Sequence, residues 1–476
     1  MIGSLPDELL VEIFDWCRLD DEYHWNYRRR WYKPLQVSRR WRHVMLESAT
    51  RLKLRFLWNS ANPVTTVPAH LTQIPLTISF IFLYPVPTLL RENLFLALQN
   101  RDRVYDISIN NWGSEDLGLH KALGNSFPVL ETLSLAGVQT RPGLPFDFVA
   151  PRLRALHLRD VRVLTGCYQS RINAMKLSSL RLQTFSAIPL KYLVESIASM
   201  PHLENISIGF YHSPPLPDAV TELPSTQITC VVLPRLTRLV FKGCITYLEN
   251  LLTQINTPFL QDLRSTCYSK GMPSVVRLPS FLGTLQNLNF QTAVMLFSKH
   301  HTTISYHSDQ PSVAPSYAEL FIYNSNARGG EIPLGTSLLQ IFNAVAPALS
   351  VVESLALKVD SGPYSPYRSG FTTQPTFWHT FLQPFVGVKT LTIDVSLFVE
   401  LSDALRPNNG AVITELLHVL SKVVIVSLDD PALFDQLFSS FADARRLAGS
   451  PIDIRVIQQC PPSLPAPPIS WTFDTF

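Results

Sequence analysis

The sequence predicts an α/β protein: a short helical segment at the N-terminus, followed by a long irregular solenoid with parallel strands inside and helices outside. Three observations predict it. The opening residues carry two apolar patterns at helical spacing, and from about residue 100 the pattern apolar-x-x-apolar-x-apolar returns repeatedly. Segments with helical spacing lie between several of those copies. With 46% hydrophobic and 16% charged residues over 476 positions, the chain can fill a sizeable core and lacks the composition of a disordered one.

The first helix is expected around Ser4 to Cys17. Ser4, with Asp7 three residues on, offers an oxygen to the orphan amides of a helix start, and Asp7 and Glu8 suit the positive end of the dipole. Pro6 fits a first turn, where its missing amide proton would have no partner. Leu9, Leu10, Ile13, Phe14 and Cys17 share one helical face, leaving Val11 with the acids elsewhere on the wheel. A second helix is expected from about Pro34 to Ser48, with Leu35, Val37, Trp41, Val44 and Met45 apolar. Two short helices bury little by themselves, so apolar positions left exposed here call for a partner.

Leu5-Pro6-Asp7-Glu8-Leu9-Leu10-Val11-Glu12-Ile13-Phe14, followed by Leu35-Gln36-Val37-Ser38-Arg39-Arg40-Trp41-Arg42, resembles an F-box. The resemblance covers residues 1–58 and departs from the usual pattern at Leu19 to Lys33, a longer connection rich in charged and aromatic residues. It implies docking on the Skp-type adaptor of SCF (cullin–RING) ubiquitin ligases through Leu5, Pro6, Leu9, Ile13, Leu35, Val37 and Trp41. The whole layout, including the repeats that follow, is similar to F-box proteins of mushroom-forming fungi. The alternative reading of the residues is an ordinary amphipathic helix pair that packs on, or caps, the rest of the chain.

Residues 59–100 read as a linker and lead-in, 101–459 as the solenoid and 460–476 as a Pro-rich tail. The stretch from Leu71 to Leu90 is uncharged, but Pro75, Pro85 and Pro87 interrupt it, so a buried strand over Leu76 to Leu83 and a turn are expected, with no membrane span. Copies of the template fall at Val104/Ile107/Ile109, Leu130/Leu133/Leu135, Leu153/Leu156/Leu158, Leu177/Leu180/Leu182, Leu203/Ile206/Ile208 and Leu236/Leu239/Phe241. They continue at Leu285/Leu288/Phe290, Tyr317/Leu320/Ile322, Val352/Leu355/Leu357 and Val388/Leu391/Ile393, with a degraded copy at Leu260/Leu263 where Ser265 takes the third place. Several copies follow a proline (Pro128, Pro151, Pro201, Pro234, Pro258), and helical returns are expected at Leu190 to Met200, Tyr247 to Ile255, Ser337 to Val345, Thr414 to Leu420 and Ala432 to Leu447. A spacing of about 23 to 36 residues makes this a leucine-rich-repeat-like array with insertions. Strands alternating within an unrelated α/β domain would imitate part of the pattern.

Strand alternation then picks out a recognition surface. With the template residues facing the core, the side chains between and beside them face the inner surface: His157, Arg159, Arg181, Arg238, Lys242, Arg264, Asn289, Phe321 and Tyr323 are the substrate-binding candidates. The row is polar to basic, with two aromatics of the kind that anchor interfaces, and suits an acidic or phosphorylated protein partner. The same positions also fit plain solvated strand residues.

Chemistry-bearing motifs are few. The chain has no GxSxG elbow, phosphate-binding GxxxxGK[ST] loop, GxGxxG or HExxH, so no enzyme, cofactor or metal is expected. His300, His301, His307 and Asp309 match no standard ligand spacing and read as a polar loop. Arg28 to Arg55 holds ten Lys/Arg against the single acid Glu47, leaving the rest net acidic; it reads as a docking surface rather than a nucleic-acid site because it lies within the F-box match. The cysteines (Cys17, Cys167, Cys230, Cys244, Cys267, Cys460) form no CxxC pair, and no basic-then-apolar leader opens the chain, so a cytoplasmic or nuclear location with reduced thiols is expected.

Overall fold

A computed structural model describes residues 5–19, 32–49, 51–52, 54–59, 74–82, 87–110, 122–137, 148–159, 176–184, 188–210, 230–269, 291–297, 301–307, 317–324, 349–359, 375–405, 416–427, 435–447, 449 and 451–458. They form mixed α/β structure in two compact units, Met1–His212 and Ser213–Phe476.

In the first unit, helices α1 (Asp7–Leu19), α2 (Tyr32–Val37) and α3 (Arg39–Glu47) precede strands β1 (Phe56–Asn59) and β2 (Leu76–Ile81). Helix α4 (Thr88–Gln99) leads to β3 (Val104–Asn110), β4 (Thr132–Ala136), β5 (Ala155–Arg159) and β6 (Ser179–Thr184), and α5 (Leu190–Ala198) leads to β7 (Asn205–Phe210). The strands pair in chain order, β1 to β7, all parallel.

The repeated template has a local cause. In Phe127-Pro128-Val129-Leu130 the Leu130 amide donates to the Phe127 carbonyl at 3.3 Å, a β-turn with proline at its second position. The same turn closes at Ala150/Leu153 (3.0 Å), Met200/Leu203 (3.2 Å), Leu233/Leu236 (3.3 Å) and Thr257/Leu260 (3.3 Å), each with Pro following the acceptor. The first apolar residue therefore ends a turn and plugs the core, and the next two, at alternate strand positions, face the same way. Register stacks Leu133, Leu156, Leu180 and Ile206 side by side across β4 to β7, all buried.

The second unit holds β8 (Val231–Val232), β9 (Arg238–Cys244), α6 (Ile245–Gln254), β10 (Ile255–Asn256), β11 (Asp262–Ser269), β12 (Thr292–Phe297), β13 (His301–His307), β14 (Tyr317–Asn324) and β15 (Ser354–Val359). It ends with α7 (Pro375–Leu382), β16 (Thr390–Asp394), α8 (Val395–Leu405), β17 (Lys422–Ser427), α9 (Asp435–Leu447) and β18 (Asp453–Gln458). Its main sheet runs β9-β11-β14-β13-β12-β15-β16-β17-β18, parallel except where β13 lies antiparallel to both neighbours; β8 and β10 pair separately. An aromatic cluster fills the core beside β12: Trp378 lies 6.2 Å from Phe297 and 5.5 Å from Phe381, ring to ring.

Several expectations change. The single helix over Pro34 to Ser48 is two, because Ser38 adopts an extended backbone and its hydroxyl accepts the Trp41 amide at 3.1 Å, capping α3. Val11, placed on the polar side of α1, is buried. The His-rich stretch read as a loop is strand β13, where Thr302 and Ile304 are fully buried. Residues 416–419 of the helix expected at Thr414 to Leu420 form a turn: Leu417 sits at φ 52°, and its carbonyl accepts from the buried Arg445 at 3.4 Å. Strand β2 and helices α5, α6 and α9 match their expected places within a few residues. Ser4, most of the connection from Leu19 to Lys33, the Leu285/Leu288/Phe290 copy, the segment Ser337 to Val345 and the tail from Cys460 lie outside the described residues.

One turn tests how tightly the strand lead-ins fit. A Cβ on Gly387 would meet the Ser350 carbonyl oxygen at 2.5 Å and that of Val352 at 3.2 Å, both backbone atoms that cannot rotate aside. Gly387→Ala is expected to cost about 1–3 kcal/mol, read as a lower urea midpoint with an unchanged slope. An unchanged midpoint would show that the two backbones separate freely there.

Candidate functional site

The N-terminal helices present the first candidate surface. Asp7 and Glu8 occupy the first turn of α1, and the Leu10 amide donates to the Pro6 carbonyl at 3.2 Å. Leu10, Val11 and Phe14 are buried, and the Phe14 ring meets Trp41 edge-on at 5.2 Å. Arg40 ties the start of α3 to the start of α1: its Nε donates to Asp7 Oδ1 at 3.0 Å, and its Nη2 donates to the Leu5 carbonyl. Arg42 Nε donates to the Leu35 carbonyl at 3.1 Å. The Arg40–Asp7 pair is largely exposed, so it orients the helices more than it stabilises them.

With Leu10, Val11 and Phe14 turned inward, a second apolar stripe faces outward. Leu9 is 44%, Ile13 41% and Trp16 76% exposed, at positions i, i+4 and i+7 of one helix, and Val37 on α2 is 61% exposed. Of the positions that the F-box resemblance assigns to adaptor docking, Pro6, Leu9, Ile13 and Val37 are therefore exposed, Leu5 and Trp41 half-buried, and Leu35 buried. Leu35, being buried, would act in such docking only by supporting the others. Trp16 and Arg40 were missed by sequence reasoning; the seven-residue step from Leu9 to Trp16 was the available signal for the first.

The open faces of the strands form the second candidate surface. In the first unit, Ser134, His157, Arg181 and Ser207 are register partners on adjacent strands β4 to β7. His157 is half-buried and Arg159 exposed. Burial, then the neighbouring Arg181 charge, holds the His157 imidazole below its ordinary value. The unfolded chain therefore takes up this proton at a higher pH than the folded one. The folded state gains nothing from this difference at low pH and its full contribution above the ordinary histidine value of 6.5, losing it as pH falls through the window below. His157→Gln is expected to flatten that part of the stability curve, measured as thermal midpoints at about pH 7.5 and about pH 5.5. An equal slope in both proteins would count against it.

In the second unit the cations are already matched. Asp262 lies between two arginines, 3.1 Å from Arg238 Nε and 2.9 Å from Arg264 Nε, and the Arg264 guanidinium sits 4.7 Å from the Tyr317 ring centre. Burial and the adjoining Glu319 push the Tyr317 phenol up to about 12, so it stays a neutral donor. Lys242 is half-buried, and burial lowers its ammonium from its ordinary value. It shares a row with Thr266 and the half-buried Phe321. Tyr323 lies on β14, one step past that row, while its side chain and the whole of Asn289 lie outside the described residues. The sequence places Arg238 and Arg264 among the candidates for binding a partner. Asp262 neutralises much of their charge, because register sets it opposite Arg238 and two residues from Arg264.

Among the described residues no group of His, Cys, Asp and Glu is arranged to hold a metal ion, and no helix is long and apolar enough to cross a membrane. Comparison with known proteins finds no family model that matches the chain and no curated protein that matches it.

Proposed function

We propose that this chain is a substrate-recognition adaptor of an SCF (cullin–RING) ubiquitin ligase. Its N-terminal helices dock on the Skp-type adaptor, and its strand-and-helix region, an irregular leucine-rich-repeat-like solenoid, presents a protein substrate. The observation that carries this reading is the outward stripe of Leu9, Ile13 and Trp16 beside Val37, on helices whose inward stripe is already satisfied. A helix pair serving only as a cap would bury both stripes. Docking works by proximity: holding substrate lysines near the ligase's charged ubiquitin carrier raises their effective concentration, and this chain makes and breaks no bond. The described thiols Cys230, Cys244 and Cys267 are unpaired, which suits a cytoplasmic or nuclear assembly.

The test is co-purification with the Skp-type adaptor, comparing the native chain with a Leu5→Ala, Pro6→Ala, Ile13→Asp variant. Association that the variant loses is the expected result, and no association in either form sinks the reading. The same surfaces would serve a scaffold that leads to no degradation; proteasome-dependent turnover of a bound partner separates the two.

A further inference from the structure

Strand β18 ends its sheet: it pairs with β17 along one side, and among the described residues no strand pairs with the other. Exposed strand edges invite pairing with another chain and are commonly blunted by lysine, proline or a bulge. Over Asp453-Ile454-Arg455-Val456-Ile457-Gln458 there is none of these, and the register with β17 runs unbroken. The charges of the strand cancel, since Arg455 Nε donates to Asp453 Oδ2 at 2.8 Å on the exposed face. The opposite face carries Ile452, Ile454 and Val456, each only half-buried.

We propose that β18 pairs antiparallel with β18 of a second copy of this chain, across a two-fold axis at Ile454. Backbone direction limits the choice of axis. The Asp453 amide donates to the Ser421 carbonyl at 2.9 Å, so Asp453, Arg455 and Ile457 turn their amide and carbonyl groups toward β17. Ile454 and Val456 therefore turn theirs outward, and a second copy bonds only in registers that set outward residues opposite outward residues, with the axis through a residue. An axis at Asp453 or Arg455 sets like charges opposite each other, and one at Val456 sets Arg455 opposite Ile457. The axis at Ile454 sets Asp453 opposite Arg455 of the second copy, and the reverse, at the non-hydrogen-bonded positions where side chains come closest. On the other face it sets Ile454 against itself and Ile452 against Val456, covering apolar surface that the free edge leaves half open. Charge and apolar matching thus select the same register. The proposal does not depend on adaptor docking; a dimer would carry each candidate surface twice, so that weak contacts with one partner would reinforce each other.

Sedimentation equilibrium of the full chain measures this. The native chain is expected to be a dimer at micromolar concentration. Arg455→Asp and Asp453→Arg each set like charges opposite each other twice, and each should raise the dissociation constant about tenfold or more. Both side chains are more than half exposed, so the single variants should keep the native thermal midpoint to within a degree or two, roughly what surface substitutions allow. The exchange of both, Asp453→Arg with Arg455→Asp, restores opposite charges and should restore the dimer, as should an equimolar mixture of the two single variants. A native chain that stays monomeric up to about 100 μM overturns the proposal, and a dimer indifferent to both single variants does the same by placing the contact elsewhere. If both single variants dissociate and the exchanged variant stays monomeric as well, the paired register is wrong and the proposal falls with it.

Discussion

Leu9→Asp combined with Ile13→Asp is expected to weaken association with the Skp-type adaptor by about a hundredfold or more, with the thermal midpoint of the chain nearly unchanged. Both side chains are about two-fifths exposed already, so replacing them removes little from the core. At a desolvated interface the same changes lose two apolar anchors and bury two carboxylates with no partner. Leu10→Asp, one residue away, is the internal control: Leu10 is fully buried, and its replacement should unfold the helix pair. Surface plasmon resonance against the purified adaptor, with circular dichroism for folding, reads both. Undiminished adaptor binding by the folded double variant would move docking to another surface.

The second large effect concerns the core of the second unit. Trp378→Ala is expected to cost about 3–5 kcal/mol, because it empties the largest volume in a cluster that includes Phe297, Phe377 and Phe381. Trp378 is 1% exposed, and its ring sits edge-on to each of those three neighbours, so no single side chain can move in to fill the space. Urea denaturation followed by far-ultraviolet circular dichroism measures it. A cost below about 1 kcal/mol would mean that the phenylalanines repack around the void.

Much of the fold was legible because one turn and one strand repeat together. Wherever proline takes the turn's second position and an apolar residue ends it, as at Pro128/Leu130 or Pro234/Leu236, the following strand lies where the spacing placed it. Strand β13 was illegible because its core positions include a threonine: Thr302 is completely buried yet reads as loop chemistry in a row of His, Thr and Ser. Helices α7 and α8 do carry a helical stripe, Phe377, Trp378, Phe381 and Leu382 in the first and Leu397, Phe398, Leu401 and Leu405 in the second, all buried, but it lies outside the strand template that organises the sequence. The candidate surfaces were legible to the level of the element. Which of the two apolar stripes of α1 turns inward depends on partners more than 20 residues away, such as Trp41 against Phe14, and local spacing does not show that Val11 is on the buried side. That Arg238 and Arg264 share Asp262 follows from strand register, which spacing alone does not set.

The antiparallel strand β13 has a consequence for how the second unit forms. From β3 to β7 each strand can add to the one made just before it, at the entropic cost of a short closure. After β11 this stops, since its partner is β14: the Ser265 hydroxyl donates to the Glu319 carbonyl 54 residues on. The chain must first make β12 and β13, then bring β14 back against β11, while β12 waits for β15 on its other side. Assembly here is a joint closure of five strands rather than the addition of one, and such non-local pairing is intrinsically slow. Until it completes, β11 and β12 each present an unpaired edge to neighbouring chains, so this stretch is where a nascent molecule most needs protection from association.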